Sequence, residues 1–199
     1  MANEIFTIGY SSFSLAEFQN TLKKHQITAI GDVRSLPYSQ FKPEFNRENL
    51  EAELSKNDIT YVFLGEECGA RVAEPGCYTE GKVNFKLVAE HPLFKEGLAR
   101  IKKGLKQFNI ALMCAEKDPI TCHRTILICR NLLPAKIAIK HILGDGRVEL
   151  HSASEQRLMG LFDLHHPDMF RSEAQRLEDA YARQGEKIAY GTSDPVDYA

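Results

Sequence analysis

Five short apolar runs punctuate this chain, at Glu4–Ile8, Ile27–Val33, Ile59–Leu64, Ile110–Cys114 and Lys136–Leu143, and helical patterns occupy most of the intervals. Runs of that length read as strands, and strands alternating with helices can close a core in few ways. A helix that returns the chain to the same edge makes successive strands parallel, and the helices then cover both faces. The expected fold class is therefore α/β: a mostly parallel sheet flanked by helices on both faces, a Rossmann-like three-layer arrangement. Gly144-Asp145-Gly146 adds a tight turn into a return strand, Arg147–Leu150, so a short C-terminal hairpin and helices complete the fold.

Local signals place the helices. Ser14 and Glu17 have the spacing of a capping box, and Leu15, Phe18 and Leu22 follow on one face to about Lys24. Asn46 is placed to cap a helix that turns Leu50 and Leu54 inward. Leu93–Gln107 carries Leu98, Ile101 and Leu105 on one face and mainly lysines on the other. Ser152 with Glu155 predicts a second capping box, and a last helix over roughly 168–183 would bury Phe170, Ala174, Leu177 and Tyr181. Gly65–Gly81 is long, glycine-rich and irregular, which marks it as a functional or mobile loop. The sequence thus predicts one domain over residues 1–184 and a loose polar tail over 185–199.

Composition narrows the function classes. With 43% hydrophobic and 26% charged residues, the balance is globular, and a net charge of -2 argues against a generally basic nucleic-acid coat. Five cysteines without framework spacing suit a reducing compartment. No secretory leader opens the chain and no apolar run is long enough to span a bilayer, so the expected location is the cytoplasm, with no membrane partner. GxxxxGK[ST], GxGxxG and HExxH motifs are absent, and no cofactor is expected. Nothing in the sequence specifies an oligomeric state.

Ligands of an open α/β sheet bind beyond the carboxyl ends of its strands. The densest such end is residues 113–124, Met-Cys-Ala-Glu-Lys-Asp-Pro-Ile-Thr-Cys-His-Arg. Whether Asp118 ahead of Pro119 or Thr121 caps the next helix, Cys122, His123 and Arg124 fall in its first turns. That setting favours a thiolate at Cys122 and also suits a bound anion. The candidate catalytic groups are Cys122, as nucleophile or redox thiol, and His123 and Glu116 as proton carriers. Arg124, Arg34, Ser35, Tyr10 and Ser11 are the candidate anion-binding residues, and Cys114, Asp32 and His141 complete the set. Plainer readings stand beside these: Cys114 and Cys122 as small core residues, Arg34 in a salt bridge with Asp32 or Glu44, and Cys129 as packing.

The separation of Cys114 from Cys122 is not that of structural zinc pairs, and adjacent Cys-His residues rarely ligate one ion, so no metal site is expected. The favoured function is an enzyme acting on an anionic, phosphate- or carboxylate-bearing small molecule. An alternative is a nucleic-acid-binding or nucleic-acid-associated module using the same cleft with Tyr38, Phe41, Lys42, Phe45 and Arg47, whose rings and charges can stack bases and hold phosphates. A third reading, a redox sensor, pairs Cys114 with Cys122.

Thr7-Ile8-Gly9-Tyr10-Ser11, Asp32-Val33-Arg34-Ser35-x-Pro37, Leu64-Gly65, Cys114-x-Glu116-(x)5-Cys122-His123-Arg124 and His141-Ile142 together resemble the DUF488 family of uncharacterised proteins. The resemblance spans roughly residues 4–165, and the Cys-x-Glu…Cys-His-Arg pattern is its most specific part. It implies an α/β fold and a site at this sheet edge, and no established reaction. Two departures stand out: Tyr10 replaces a usual histidine, and Glu66-Glu67-Cys68-Gly69 replaces a segment with a second Gly and Leu.

Overall fold

In the computed structural model, which describes residues 4–192 and 194, the apolar runs become the strands of one sheet. The strands are β1 (Glu4–Gly9), β2 (Ala29–Asp32), β3 (Thr60–Phe63), β4 (Tyr78–Thr79), β5 (Lys82–Val83), β6 (Ile110–Cys114), β7 (Ala138–Ile142) and β8 (Val148–Leu150). The main sheet has the order β3-β2-β6-β1-β7-β8; its pairings are parallel except that of β7 with β8, which forms the expected hairpin. The short strands β4 and β5 pair with each other. The helices are α1 (Leu15–Lys24), α2 (Arg47–Ser55), α3 (Gly65–Cys68), α4 (Phe85–Glu90), α5 (Pro92–Gly104), α6 (Arg130–Leu132), α7 (His151–Gly160) and α8 (Glu173–Ile188). Among the described residues, no helix is long and apolar enough to cross a membrane.

Two cores sandwich the sheet. Phe6, Ile8, Ile30, Ala111 and Met113 pack against Phe18 and Leu22 of α1 and Leu50 and Leu54 of α2. Ile5, Ala29, Ile110 and Leu112 face the other way, toward Leu98 and Ile101 of α5 and Leu127, Ile128 and Leu132 of the 124–132 helix. Both faces of the central strands are covered, which is why they read as unbroken apolar runs rather than alternating ones. A third cluster joins Ile120 and Ile126 to Leu158, Met159, Ala180 and Tyr181, and so attaches α7 and α8 to the same body.

Several local expectations are corrected. Ser14 and Glu17 do form a complete capping box, but Ser152 and Glu155 do not. Helix α7 already begins at His151, and Glu155 instead accepts the Tyr181 hydroxyl at 3.0 Å. Asn46 precedes α2 without capping it, because its side-chain oxygen accepts the Ser39 amide. The last helix starts later and runs further than its apolar spacing implied. Ser172 and Gln175 form its capping box, the carboxylate of Asp168 accepts the amides of Phe170 and Arg171 in the preceding turn, and Phe170 is left 91% exposed. Residues 185–192, assigned from sequence to a loose tail, finish α8 and continue as a strap across β5, where Val83 N–H donates to the Tyr190 carbonyl oxygen at 2.9 Å. Residues 193 and 195–199 of that segment lie outside the described residues.

Candidate active site

Strand β6 delivers Cys114 to the carboxyl edge between β1, where Gly9 is its register partner, and β2, where Asp32 pairs with Met113. Glycine at position 9 is a steric requirement. A Cβ there would stand 1.9 Å from the Glu116 carbonyl oxygen, so only glycine lets the 115–118 loop fold back across the end of β1. Asp118 anchors that loop, accepting the Ile120 amide at 3.2 Å and both terminal nitrogens of Arg157 at 2.9 and 3.0 Å.

Asp118 and Pro119 do open a helical turn, but it is a separate 3-10 turn ending at Thr121. Cys122 then extends the chain (φ -128°, ψ 141°), and His123 (φ -59°, ψ -25°) leads into a π-helical stretch, Arg124–Cys129, that continues as α6. Cys122 therefore precedes the helix instead of lying in its first turn. The change from extended to helical backbone between neighbours turns both side chains toward Cys114 and Glu116.

Four groups converge there. Cys122 Sγ lies at hydrogen-bond distance, 2.9 Å, from Glu116 Oε2. His123 Nδ1 stands 3.8 Å from both Cys114 Sγ and Cys122 Sγ. His123 Nε2 donates to the Val33 carbonyl oxygen at 3.0 Å. The ligand atoms of all four side chains lie within 4.8 Å of one another, a set of positions that could hold a metal ion. All five cysteines are free and buried.

The electrostatics follow from burial and from these neighbours. Burial opposes a thiolate at Cys122, but hydrogen bonding from Cys114, the charge of Arg124 and His123 outweigh it, and its thiol is held well below the ordinary range. Cys114 moves the opposite way, raised by its bond to Cys122 and by burial. Glu116 is raised by burial and then by the Cys122 charge, while His123 is raised by Cys122 despite its burial. Cys68 is pushed up to about 12 by burial and is an unreactive packing thiol.

The anion-binding candidates are placed differently from one another. Arg124 is wholly buried beneath the cluster, its NH1 on the Glu116 carbonyl oxygen at 2.7 Å and its backbone N–H 3.5 Å from Cys122 Sγ. Arg34 is buried in a two-pronged pair with Asp32 (2.6–3.1 Å) and also donates to the Phe45 carbonyl oxygen, while its NH1 has no hydrogen-bond partner. Asp32 in turn accepts the Tyr61 hydroxyl at 2.7 Å, so it orients Arg34 and stays out of the cluster. Tyr10 is buried against the Phe45 ring with the Arg34 guanidinium 5.0 Å from its centroid. Ser35 accepts the Arg71 amide at 2.8 Å, and Ser11 is exposed, held by its amide to Ala115.

A cavity of about 60 Å³ opens on this arrangement, walled by Tyr10, Arg34, Arg71, Cys114, Glu116 and His123, with Ser35 and Tyr190 at its side. Cys122 is not among its walls and is 1% exposed. Arg71 and Tyr190 were missed from sequence. Arg71 belongs to the irregular glycine-rich stretch, which was a usable signal. Tyr190 gave none, because only folding lays the polar C-terminal segment over the site and stacks the Arg71 guanidinium 4.0 Å from its ring.

His141 is not part of the cluster. It joins a buried hydrogen-bonded chain of its own, Thr7–His141–His151–Tyr181, with separations of 2.8, 2.9 and 3.0 Å, and Tyr181 donates in turn to Glu155. The basic-aromatic loop divides: Phe45 is core, Lys42 holds the Phe13 carbonyl oxygen and Arg47 covers Phe63, while the Tyr38 and Phe41 rings are exposed, Phe41 by 86%.

Fold and cluster define a class: an α/β protein with a buried thiol–carboxyl–imidazole centre at the carboxyl edge of a parallel sheet. Within that class the chain belongs to the DUF488 family, described as a domain of unknown function, whose model matches residues 14–130 and so includes the whole Cys-x-Glu…Cys-His-Arg segment. No curated protein and no solved structure matches it.

Proposed function

We propose that the protein is an enzyme that takes a small anionic, phosphate- or carboxylate-bearing molecule into the 60 Å³ cavity and transforms it at the Cys114–Glu116–Cys122–His123 centre. The observation that carries this reading is Arg34 NH1, a guanidinium nitrogen left without a partner in a buried residue of the cavity wall. An unsatisfied buried donor of a charged group is costly, and an anion is the ligand that satisfies it best. Arg71 adds a second positive side chain to the same wall, and Glu116 and His123 are wall residues able to move a proton. The cavity is small and opens to solvent, which suits the seating of one compact anionic group with the rest of a ligand outside. Lys42 and Arg47 of the 38–47 loop are engaged within the fold, on the Phe13 carbonyl oxygen and the Phe63 ring, which is why the small-molecule reading is preferred to a nucleic-acid one. The five free cysteines support a reducing compartment, and cytoplasmic residence is part of the proposal.

Titration with inorganic phosphate, sulfate and acetate, followed through backbone amide NMR shifts, tests the binding half. Saturable shifts are expected at Tyr10, Ser35 and Arg71, weakened in Arg71→Ala. If none of the three anions gives a saturable response, the reading is wrong. A panel of small phosphate and carboxylate esters tests the catalytic half, with turnover expected in the wild type and lost in Glu116→Gln.

A further inference from the structure

We infer that the Cys/Glu/His centre is a metal site: Cys114 Sγ, Cys122 Sγ, His123 Nδ1 and a Glu116 carboxylate oxygen bind one divalent ion of borderline softness, zinc first among the candidates. This deepens the proposal above and rests on the part of it that makes the four side chains a single reactive centre.

Distances carry the argument first. A tetrahedral zinc with ordinary bond lengths sets its ligand atoms about 3.3–3.8 Å apart. Here the imidazole nitrogen is 3.8 Å from each sulfur, Glu116 Oε2 is 2.9 Å from Cys122 Sγ, and no pair among the four exceeds 4.8 Å.

Orientation is the second argument. Val33 can only accept, so its carbonyl oxygen holds a ring proton on Nε2 and leaves Nδ1, which faces both sulfurs, as the nitrogen that would give up its proton to a metal. A metal-bound imidazole needs its outer nitrogen tied to an acceptor in this way. The objection that adjacent residues cannot share an ion fails here for a stated reason. Cys122 is extended and His123 helical, so neighbouring side chains reach one point.

Charge and access agree with the geometry. Two thiolates and a carboxylate against a divalent ion leave one negative charge, and the wholly buried Arg124, its guanidinium on the Glu116 carbonyl oxygen and its backbone N–H toward Cys122, cancels it. Two sulfurs and an imidazole favour zinc over magnesium or calcium, which take oxygen ligands. Cys122 lies behind the cavity wall while Cys114, Glu116 and His123 form part of it. A ligand role suits such a sulfur better than direct attack on a substrate. With Glu116 as fourth ligand the tetrahedral shell is closed; a water or substrate oxygen would reach the ion only by displacing that carboxylate, which would then be free to take a proton.

The test is a titration of the reduced full-length protein with Co²⁺. Expected are one ion per chain, a near-ultraviolet thiolate-to-cobalt charge-transfer band, the intense visible bands of a four-coordinate ion, and displacement by one equivalent of Zn²⁺. Cys122→Ser and His123→Ala should each weaken binding at least tenfold, whereas Cys68→Ala and Cys129→Ala should leave the spectrum unchanged. The wild-type titration needs no variant to fold, so the absence of a charge-transfer band at stoichiometric cobalt overturns the metal site. The anion titration is read separately. Anion binding without cobalt binding removes only the metal, and a cobalt spectrum without anion binding removes only the substrate class.

Discussion

His123 Nε2–H donates to the Val33 carbonyl oxygen across 3.0 Å, joining the residue after β2 to the turn that follows β6. That bond crosses the sheet edge and decides which nitrogen of the ring meets the cysteines.

Removing the imidazole should strand a buried carbonyl. His123→Ala is expected to lower stability by about 1–3 kcal/mol, read from the urea midpoint. In the wild type, nitrogen-detected NMR should find the ring proton on Nε2. An Nε2 without a proton would contradict the bond.

Two glycines make a matched pair. Gly9→Ala forces a Cβ onto the Glu116 carbonyl oxygen, a backbone atom that cannot simply rotate away, and should cost about 3 kcal/mol or more. Gly160→Ala, at the exposed end of α7 with nothing within 4 Å of the new Cβ, should instead stabilise the protein by about 0.4–1 kcal/mol. Calorimetric melting temperatures should move in opposite directions. Equal shifts would show that the close approach at Gly9 is not real.

Stability should fall on mild acidification because of the buried histidine pair. Burial holds His151 down to about 4, and burial followed by the proximity of His151 holds His141 down to about 2. In the unfolded chain both titrate near about 6.5, so below that pH the unfolded state gains protons the folded state refuses. The stability conferred by the neutral rings is complete above about 6.5 and is lost as pH falls toward about 4, by up to about 1.4 kcal/mol per unit for each ring. The rings touch, so the steps belong to the pair. Asp118 and Glu149, whose carboxylates are depressed mainly by Arg157 against the pull of burial, lose their contribution only below the ordinary carboxylate range. Urea midpoints that stay flat between pH 7 and 5 would refute this assignment.

Tyr190 should control entry to the cavity. Tyr190→Ala removes a wall of the cavity together with the ring stacked under Arg71. Loss of such a contact costs only about 0.5–1 kcal/mol, so the fold should survive. Alkylation of Cys114, located by peptide mass spectrometry, should become several-fold faster. An unchanged rate would show that the strap does not limit access.

Legibility from sequence followed the range of the forces involved. The capping box at Ser14 and Glu17 and the run at Ile110–Cys114 are local patterns, and both stand in the structure within a residue of their expected bounds. The capping box expected at Ser152 did not form because α7 begins one residue earlier, at His151, and Glu155 pairs with Tyr181, supplied by α8 from a distance in sequence. The spacing of Cys114, Glu116, Cys122 and His123 was visible, but their convergence depended on the single extended residue at Cys122 and on Gly9 of another strand. Arg34 and Asp32 were rightly paired as the plainer reading had them, though in the buried interior rather than at the surface.

The sequence alone determined the alternation of strands and helices, the edge of the sheet that gathers reactive groups, and the DUF488 membership of the chain. Those properties rest on side-chain periodicity and residue chemistry, which are written along the chain. Tertiary structure alone decided the order β3-β2-β6-β1-β7-β8, which sets Gly9 and Val33 on either side of Cys114, and it alone laid Tyr190 over the cavity. Contacts between residues far apart in sequence depend on how the elements pack, and no local pattern encodes them.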